Sequence, residues 1–205
     1  MVVEIPISGF PEQFSTIEHG NVVLIEGGED SLGRFLAYRI AYSHTKDGGN
    51  VNIISSRPIK DVFKDLKHLD STKLNFDIIE DLKPEKFIEA LSSRSFVIID
   101  RLDYLVNKYG SDQPQTLFEE MRNKTRETAS NLILLIGRGS MGIEKYNVIK
   151  HNVDAIIHIE SIESPEGTSR FFKIEKWIDG IPLDNNIFFK YQNNRFNIDL
   201  RSKVI

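Results

Sequence analysis

A short apolar strand that runs through two spaced glycines into a helix constrains the fold of this chain more than any other feature. Residues 22–25 are apolar, Gly28 and Gly33 follow them, and a helical pattern begins directly afterwards. The spacing resembles the phosphate-binding pattern G-x-x-x-x-G-K-[S/T], whose Lys binds the β- and γ-phosphates and whose hydroxyl residue binds Mg²⁺. In this chain Arg34 stands in the Lys position and Phe35 in the hydroxyl position. The sequence therefore keeps the backbone frame of a phosphate loop and lacks two of its functional side chains.

From this loop to residue 136, apolar segments of strand length alternate with segments of helical period. This alternation predicts an α/β fold with a mostly parallel central sheet flanked by helices. One of the segments, residues 96–99, is apolar on both faces and ends at Asp100, as expected of a central parallel strand. The strands predicted in this part are residues 22–25, 51–55, 74–79, 96–99 and 132–136.

The character of the sequence changes after the fifth strand. Residues 137–146 are rich in glycine and predict a flexible connector. Two further strands, residues 155–159 and 171–177, flank a polar loop at residues 161–169 without a helical segment between them, so they predict an antiparallel hairpin. Residues 187–191 predict one more edge strand. The chain therefore reads as one domain, residues 1–205, that closes with an antiparallel extension.

The composition excludes several classes of site. The formal net charge of −4 offers no overall attraction to nucleic acid. The chain has no Cys, which excludes disulfides, thiolate metal sites and a Cys nucleophile, and its five His residues lack a metal-ligand spacing, so we expect no metal site. No signal peptide is recognisable and no apolar run approaches the roughly 18 residues of a membrane span. We therefore expect a cytoplasmic protein that does not contact membranes.

In their order and spacing these segments resemble the RecA-type ATPase fold and, more closely, its KaiC-like branch, which is common in archaea. The resemblance implies a RecA-like P-loop NTPase fold in which nucleotide sits between subunits. It also implies that Asp100 is the Walker B residue, which would hold a Mg²⁺-bound water. The segments that carry the resemblance are residues 7–10, 21–27, 96–100, 131–136, 153–157 and 170–176.

The chain departs from the pattern of active relatives at four places. Arg34 and Phe35 replace the phosphate Lys and the Mg²⁺ hydroxyl. Residues 54–58 read Ile-Ser-Ser-Arg-Pro, where the resemblance implies a Glu that polarises the attacking water. Lys176 keeps one basic residue of a Lys-x-Arg pair that would reach a neighbouring subunit, but Ile178 occupies the second position. These departures predict an ATPase fold that no longer hydrolyses nucleotide.

The candidate nucleotide site consists of Gly28, Gly33, Arg34 and Asp100, and two interpretations of it stay open. Backbone N–H groups at the helix N-terminus could still bind the phosphates of ATP or ADP. Alternatively the loop is a vestigial connection between strand and helix, an interpretation that the missing side chains and the two acidic residues inside the loop favour. Asp100, likewise, either holds a Mg²⁺ water or is a polar residue at the end of its strand that caps the turn through Arg101 or pairs with Arg34.

Three functions are compatible with these residues. The departures favour a non-catalytic pseudo-ATPase, without a bound cofactor, that acts in regulation or signal transduction by associating with itself or with an active KaiC/RecA-like relative. A second hypothesis is a sensor that binds ATP or ADP without hydrolysis. A third is a RecA-like protein that binds single-stranded DNA through Arg138 and Lys145 of the connector, although the acidic chain favours a solvated loop there.

Overall fold

The computed structural model describes residues 2–27, 32–46, 48–67, 76–79, 83–109, 114–165, 167–178, 180–193 and 195–199. Its helices are α1 (Leu32–Lys46), α2 (Ile59–Lys67), α3 (Pro84–Ala90), α4 (Leu102–Tyr109), α5 (Pro114–Glu127) and α6 (Ile143–Asn152), with a short 3₁₀ turn at Glu12–Phe14. Its strands are β1 (Val2–Glu4), β2 (Thr16–Glu18), β3 (Val22–Gly27), β4 (Val51–Ser55), β5 (Phe76–Ile79), β6 (Phe96–Asp100), β7 (Asn131–Gly137), β8 (Ala155–Ser164), β9 (Gly167–Lys176), β10 (Leu183–Gln192) and β11 (Arg195–Ile198).

Nine of these strands form one twisted sheet in the order β11-β10-β9-β8-β3-β7-β6-β4-β5. The strands from β8 to β5 are parallel, and β9, β10 and β11 continue the sheet in antiparallel pairing. The predicted α/β fold, with its mostly parallel sheet and its C-terminal antiparallel extension, is therefore confirmed. The loop-bearing strand β3 lies inside the sheet, paired with β7 on one side and β8 on the other.

Both faces of the central strands are covered, which explains why their sequences are apolar without alternation. Val23 and Ile25 of β3 belong to a core that contains α1, α2 and the N-terminal strands. Val22 and Leu24 belong to a second core that contains α3, α4, α5 and α6. All four side chains are at most 2% exposed, so β3 presents its carboxyl end at a rigid position. In the described part of the chain no helix is both long and apolar enough to cross a membrane.

The prediction of a flexible connector over residues 137–146 is wrong in its second half. Residues from Ile143 onward form α6, so Lys145 lies on a helix and not in a loop. The sequence does not indicate this helix because the helix has no apolar stripe. Only Ile149 and Asn152 are buried among its residues. Its packing on the core depends on Ile149 together with the partly buried Tyr146 and Val148, which are too few to give a clear helical period in a hydrophobicity pattern.

The C-terminal extension also differs from its prediction. The polar segment 161–169, predicted as a loop, belongs mostly to β8 and β9, whose pairing continues out to Ser164 opposite Gly167. Residues 187–191 lie within β10, and the actual edge is β11, which pairs with it. These strands are exposed on both faces near their ends and therefore lack the alternation that marks a half-buried strand. Of the predicted third strand, residues 76–79 form β5, and residues 74–75 lie outside the described ranges.

Candidate functional site

A cleft of about 340 Å³ opens at the carboxyl ends of β3, β6 and β7, beside the first turn of α1. Ligands of open α/β sheets bind at this edge, where the loops that follow the strands converge. Gly33, Arg34 and Asp100 all line the cleft, as the sequence predicted for one site, whereas Gly28 lies outside the described residues. Its further lining residues are Ile25, Gly27, Arg101, Leu135, Ile136, Gly137, Arg138 and Ser140.

Two glycines bring the end of β3 and the start of α1 into close approach. A Cβ atom on Gly27 would lie 3.6 Å from the backbone N and Cα of Gly33, and a Cβ on Gly33 would lie 3.4 Å from Ile25 Cγ2. The first turn of α1 therefore lies directly against the end of β3.

The carboxylate of Asp100 is held by side chains from α1 and from the end of β4. Asp100 is 1% exposed, and Arg34 Nε donates to its Oδ1 at 3.3 Å and to its Oδ2 at 3.2 Å. The Ser55 hydroxyl at the end of β4 donates to Oδ2 at 3.1 Å. The pairing of Arg34 with Asp100, one of the two interpretations left open by the sequence, is the observed one.

A second carboxylate, Asp65 of α2, connects Arg34 to a further arginine. Arg57 Nη1 lies 2.7 Å from Asp65 Oδ2, and Arg34 Nη1 lies 3.5 Å from the same oxygen. Arg57 Nη1 also lies 3.8 Å from Asp100 Oδ2, so two guanidinium groups and two carboxylates form one network. Burial lowers the pKa of Arg57, but its hydrogen bond to Asp65 and the charges of both carboxylates outweigh burial and raise it. Arg57 therefore stays charged.

Tyr38 of α1 lies behind this network with its side chain fully buried. Burial raises the pKa of its phenol, and the charge of Asp100 raises it further, so the hydroxyl keeps its proton. Within the described part of the chain this hydroxyl has no hydrogen-bond partner.

The residues around Asp100 do not fit Mg²⁺, the ion that the fold class implies at this position. Mg²⁺ requires nearly octahedral oxygen ligands and is usually bound through one or two carboxylates. Both oxygens of Asp100 already accept hydrogen bonds from Arg34, and Ser55 spends its hydroxyl proton on one of them. Across the described ranges no group of three or more His, Asp or Glu side chains is arranged to hold a metal ion.

Phe35, which stands in the place of the Mg²⁺ hydroxyl, contributes to packing instead. Its ring is half-buried against the larger core and stacks on Tyr191 of β10, with ring centroids 5.8 Å apart and planes 15° apart. Phe35 therefore forms a contact between α1 and the C-terminal extension.

The remaining predicted site residues are spread over both ends of the sheet. Lys176 Nζ donates to the carbonyl oxygens of Lys150, at 3.3 Å, and of Val153, so it caps the end of α6 within its own chain. Its predicted contact with a neighbouring subunit stays a prediction. Arg138 lines the cleft and lies 3.0 Å from Glu160, whereas Lys145 is half-buried on α6.

A second ion cluster lies under α6, around His158 of β8. His158 Nδ1 lies 2.9 Å from Glu26 Oε2, and His158 Nε2 lies 2.7 Å from Glu175 Oε2. The Tyr146 hydroxyl donates to Glu26 at 2.8 Å, and Lys150 pairs with Glu175. Burial lowers the pKa of His158, but the hydrogen bonds and charges of the two carboxylates outweigh it and raise the pKa. Burial raises the pKa of Glu26 and of Glu175, but their hydrogen bonds to His158 and to Tyr146 or Lys150 produce a net lowering.

Sequence reasoning missed most partners in both clusters. Arg57, Asp65 and Tyr38 were not predicted, because their approach to Asp100 depends on how α1 and α2 pack on the sheet. The pairing of Glu26 with His158 had one usable signal. Both residues interrupt apolar strands, and neighbouring parallel strands place them side by side in register.

The strand order, the helices on both faces of the sheet and the antiparallel extension define an α/β fold that two solved structures share. The KaiC-like protein PH0186 of the archaeon Pyrococcus horikoshii is similar to this chain, with a TM-score of 0.76 and 13% identity over 97% of this chain and 99% of that one. The flagellar accessory protein FlaH of Methanocaldococcus jannaschii matches with a TM-score of 0.70 and 18% identity over 90% of this chain and 91% of that one. The similarity confirms the predicted fold and, at these identities, nothing finer. No protein-family model matches the sequence, and no curated protein is significantly similar to it.

A double-mutant cycle should reveal strong coupling between Arg34 and Asp100. Each single change, Arg34→Met or Asp100→Asn, leaves part of a buried network unpaired and should lower the free energy of unfolding by about 3 kcal/mol. The double variant should lose less than the sum, with a coupling energy of about 2 kcal/mol by urea unfolding. The exposed pair Arg138–Glu160 serves as the control cycle and should couple by less than about 1 kcal/mol. Equal coupling in both cycles would contradict the inferred role of burial.

Replacing His158 by Gln should remove stability mainly below neutral pH. Because the folded-state pKa of His158 is raised, its contribution is fully present below the unfolded-state value of about 6.5 and is lost as the pH rises through the folded value. The folded-state pKa values of Glu26 and Glu175 are lowered from 4.5. The stability that these carboxylates contribute is therefore present above pH 4.5 and is lost as the pH falls through the folded-state values.

The wild type should therefore exceed His158→Gln in free energy of unfolding by about 1–2 kcal/mol near pH 5.5, and by clearly less near pH 9. Urea unfolding at the two pH values measures the difference. His151→Gln, which changes an exposed histidine of α6, is the matched control and should show little effect at either pH. An equal loss of unfolding free energy in His158→Gln at both pH values would contradict a stabilising charge on His158.

Proposed function

We propose that this chain is a non-catalytic protein of the RecA/KaiC-like fold class that acts through protein association, as a regulatory or scaffolding subunit. The observation that carries the proposal is the ion network around Asp100. The carboxylate that would hold a Mg²⁺-bound water accepts hydrogen bonds from Arg34 and Ser55 instead. The position expected for a water-activating carboxylate carries Arg57, which remains cationic.

The chemistry of phosphoryl transfer makes these replacements decisive. Catalysis in this class is almost entirely the positioning of phosphates, metal and water together with stabilisation of developing charge. Arg34 offers a planar fork in place of a compact ammonium, and Phe35 offers no oxygen ligand. A site without its metal ligands and without a group to orient water has no remaining route to rapid hydrolysis.

Association is the function that such a fold can keep. The resemblance implies a superfamily in which nucleotide lies between subunits, so a subunit that loses its site can still occupy a place in a ring or filament. One structural neighbour is described as an accessory protein, which supports a role beside another subunit. The partner we propose is a second copy of this chain or an active relative with the same fold.

A second candidate function, sensing of a phosphate-bearing ligand without hydrolysis, is favoured by one observation. The cleft of about 340 Å³ persists at the phosphate position and is lined by Arg34, Arg101 and Arg138. Binding of DNA through Arg138 and Lys145 has no comparable support, because Lys145 is half-buried on α6 and does not line the cleft with Arg138.

Purified protein should hydrolyse Mg·ATP no faster than its Asp100→Asn variant, because Asp100 already serves as the partner of Arg34. Release of phosphate, followed in excess Mg²⁺ and again in EDTA, measures this. Circular dichroism on both proteins controls for folding. Hydrolysis that depends on Mg²⁺ and disappears in Asp100→Asn would refute the non-catalytic assignment.

Self-association should not require nucleotide or Mg²⁺, since the site is internally neutralised. Sedimentation velocity between about 1 and 100 µM should show a reversible oligomer. Arg138→Glu, at the cleft, should weaken this oligomer. Arg94→Glu, which changes an exposed residue near the amino ends of the parallel strands, is the control and should not weaken it. A monomer at every concentration would overturn self-association and leave an active relative as the proposed partner.

A further inference from the structure

We propose that the ion cluster under α6 is a proton-dependent latch, which holds the turn after β7 in place only while the imidazole of His158 is charged. The turn comprises residues 137–140 and lines the cleft at the carboxyl ends of β3, β6 and β7. Loss of one proton from His158 would therefore loosen one side of that cleft. The latch is independent of whether the chain hydrolyses nucleotide.

The geometry around His158 requires a charged imidazole. Its Nδ1 lies 2.9 Å from Glu26 Oε2, and its Nε2 lies 2.7 Å from Glu175 Oε2. Both carboxylates are ionised at neutral pH, because their pKa values are lowered. An ionised carboxylate only accepts hydrogen bonds, and a neutral imidazole has a single N–H to donate. Both contacts can therefore be hydrogen bonds only when both ring nitrogens carry protons.

Glu26 is the carboxylate that loses more when the proton leaves. Glu175 keeps a second cation, because Lys150 also pairs with it. Within the described part of the chain His158 is the one cationic partner of Glu26, whose other donors are the neutral Tyr146 hydroxyl and a backbone N–H. The Glu26 side chain is only 11% exposed, and an ionised carboxylate in such a position is costly without a compensating charge. Neutral His158 should therefore drive Glu26 toward solvent.

The same carboxylate connects the turn to the sheet. In the described ranges two N–H groups of the turn donate to β3, one from Arg138 to the carbonyl of Gly27 at 3.0 Å and one from Gly139 to the Glu26 carboxylate. The first bond does not depend on any charge. The second is made to the side chain whose cation is His158, so it is lost when Glu26 moves away. The turn then keeps one connection to β3 in place of two.

The other charged groups around the imidazole do not duplicate its charge. Lys150 of α6 pairs with Glu175 of β9. Lys173, which lies opposite His158 in the pairing of β8 with β9, is exposed to solvent. Glu160, two residues further along β8, pairs with the arginine of the turn. These groups are paired or solvated, so the state of the latch follows the proton on the imidazole.

The latch should be closed over a limited range of pH. Burial lowers the pKa of His158, but the hydrogen bonds and charges of Glu26 and Glu175 outweigh it and raise the pKa from 6.5, so the latch opens as the pH rises through the folded-state value. Burial raises the pKa of Glu26, but its hydrogen bonds to His158 and Tyr146 produce a net lowering from 4.5. On the acid side the latch therefore opens only below pH 4.5.

Nuclear magnetic resonance on the full chain at about pH 6.5 tests the latch at the Gly139 N–H. We expect an order parameter of about 0.85 in the wild type and below about 0.6 in His158→Gln, because a neutral amide in place of the charged imidazole releases the turn. His151→Gln, which changes an exposed histidine of α6, is the matched control and should keep the wild-type value. In the wild type the Gly139 amide shift should titrate with the same midpoint as the His158 imidazole, above pH 6.5.

Glu175→Gln provides a second variant if His158→Gln fails to fold. It removes one of the two carboxylates that raise the pKa of His158, so the midpoint at Gly139 should move to lower pH by about one unit. An order parameter for Gly139 that stays near the wild-type value in His158→Gln would overturn the inference. A Gly139 amide shift that does not follow the His158 imidazole, or a midpoint that Glu175→Gln leaves unchanged, would also overturn it.

Discussion

The ion pair between Arg34 and Asp100 is the interaction on which the rest of the site depends. An ionised carboxylate that is 1% exposed is costly unless a charge or several hydrogen bonds compensate it. In an ATPase of this fold the compensation comes from the metal and its waters. Here Arg34 Nε contacts both oxygens, and the Ser55 hydroxyl contacts one of them. Once a guanidinium fills this role, a metal ion at the same carboxylate becomes a competitor.

This interaction connects departures that look independent in the sequence. Asp65 compensates the second guanidinium contact of Arg34 and holds Arg57, so that two positive and two negative groups balance. A Glu in the place of Arg57 would add a third carboxylate to a site with one remaining cation. Phe35 stacks on Tyr191 and thereby joins α1 to the C-terminal extension. Arg34, Phe35 and Arg57 therefore all take part in contacts within the chain.

The extent to which sequence predicts this molecule follows from the range of the interactions. The strands that became β3 and β6 are apolar on both faces and were predictable because two cores cover them. The approach of Arg34 to Asp100 could be predicted from the sequence as one of the open interpretations. Asp100 ends β6 and Arg34 lies in the helix after β3, and both strands belong to one sheet. The contact of Asp65 with the two arginines could not be predicted, because the position of Asp65 depends on how α2 packs on the sheet. Helix α6 and the outer part of the β8–β9 hairpin bury few apolar groups, so their sequences carry no clear period.

The ion cluster under α6 contacts the turn that follows β7, and this turn lines the cleft. Arg138 N–H donates to the carbonyl of Gly27 at 3.0 Å, and the Arg138 side chain pairs with Glu160 of β8. The next residue, Gly139, has a φ of +65° and donates its N–H to Glu26, whose carboxylate is held ionised by His158 and Tyr146. The cluster under α6 therefore helps to fix the backbone of the turn that carries Arg138 to the cleft.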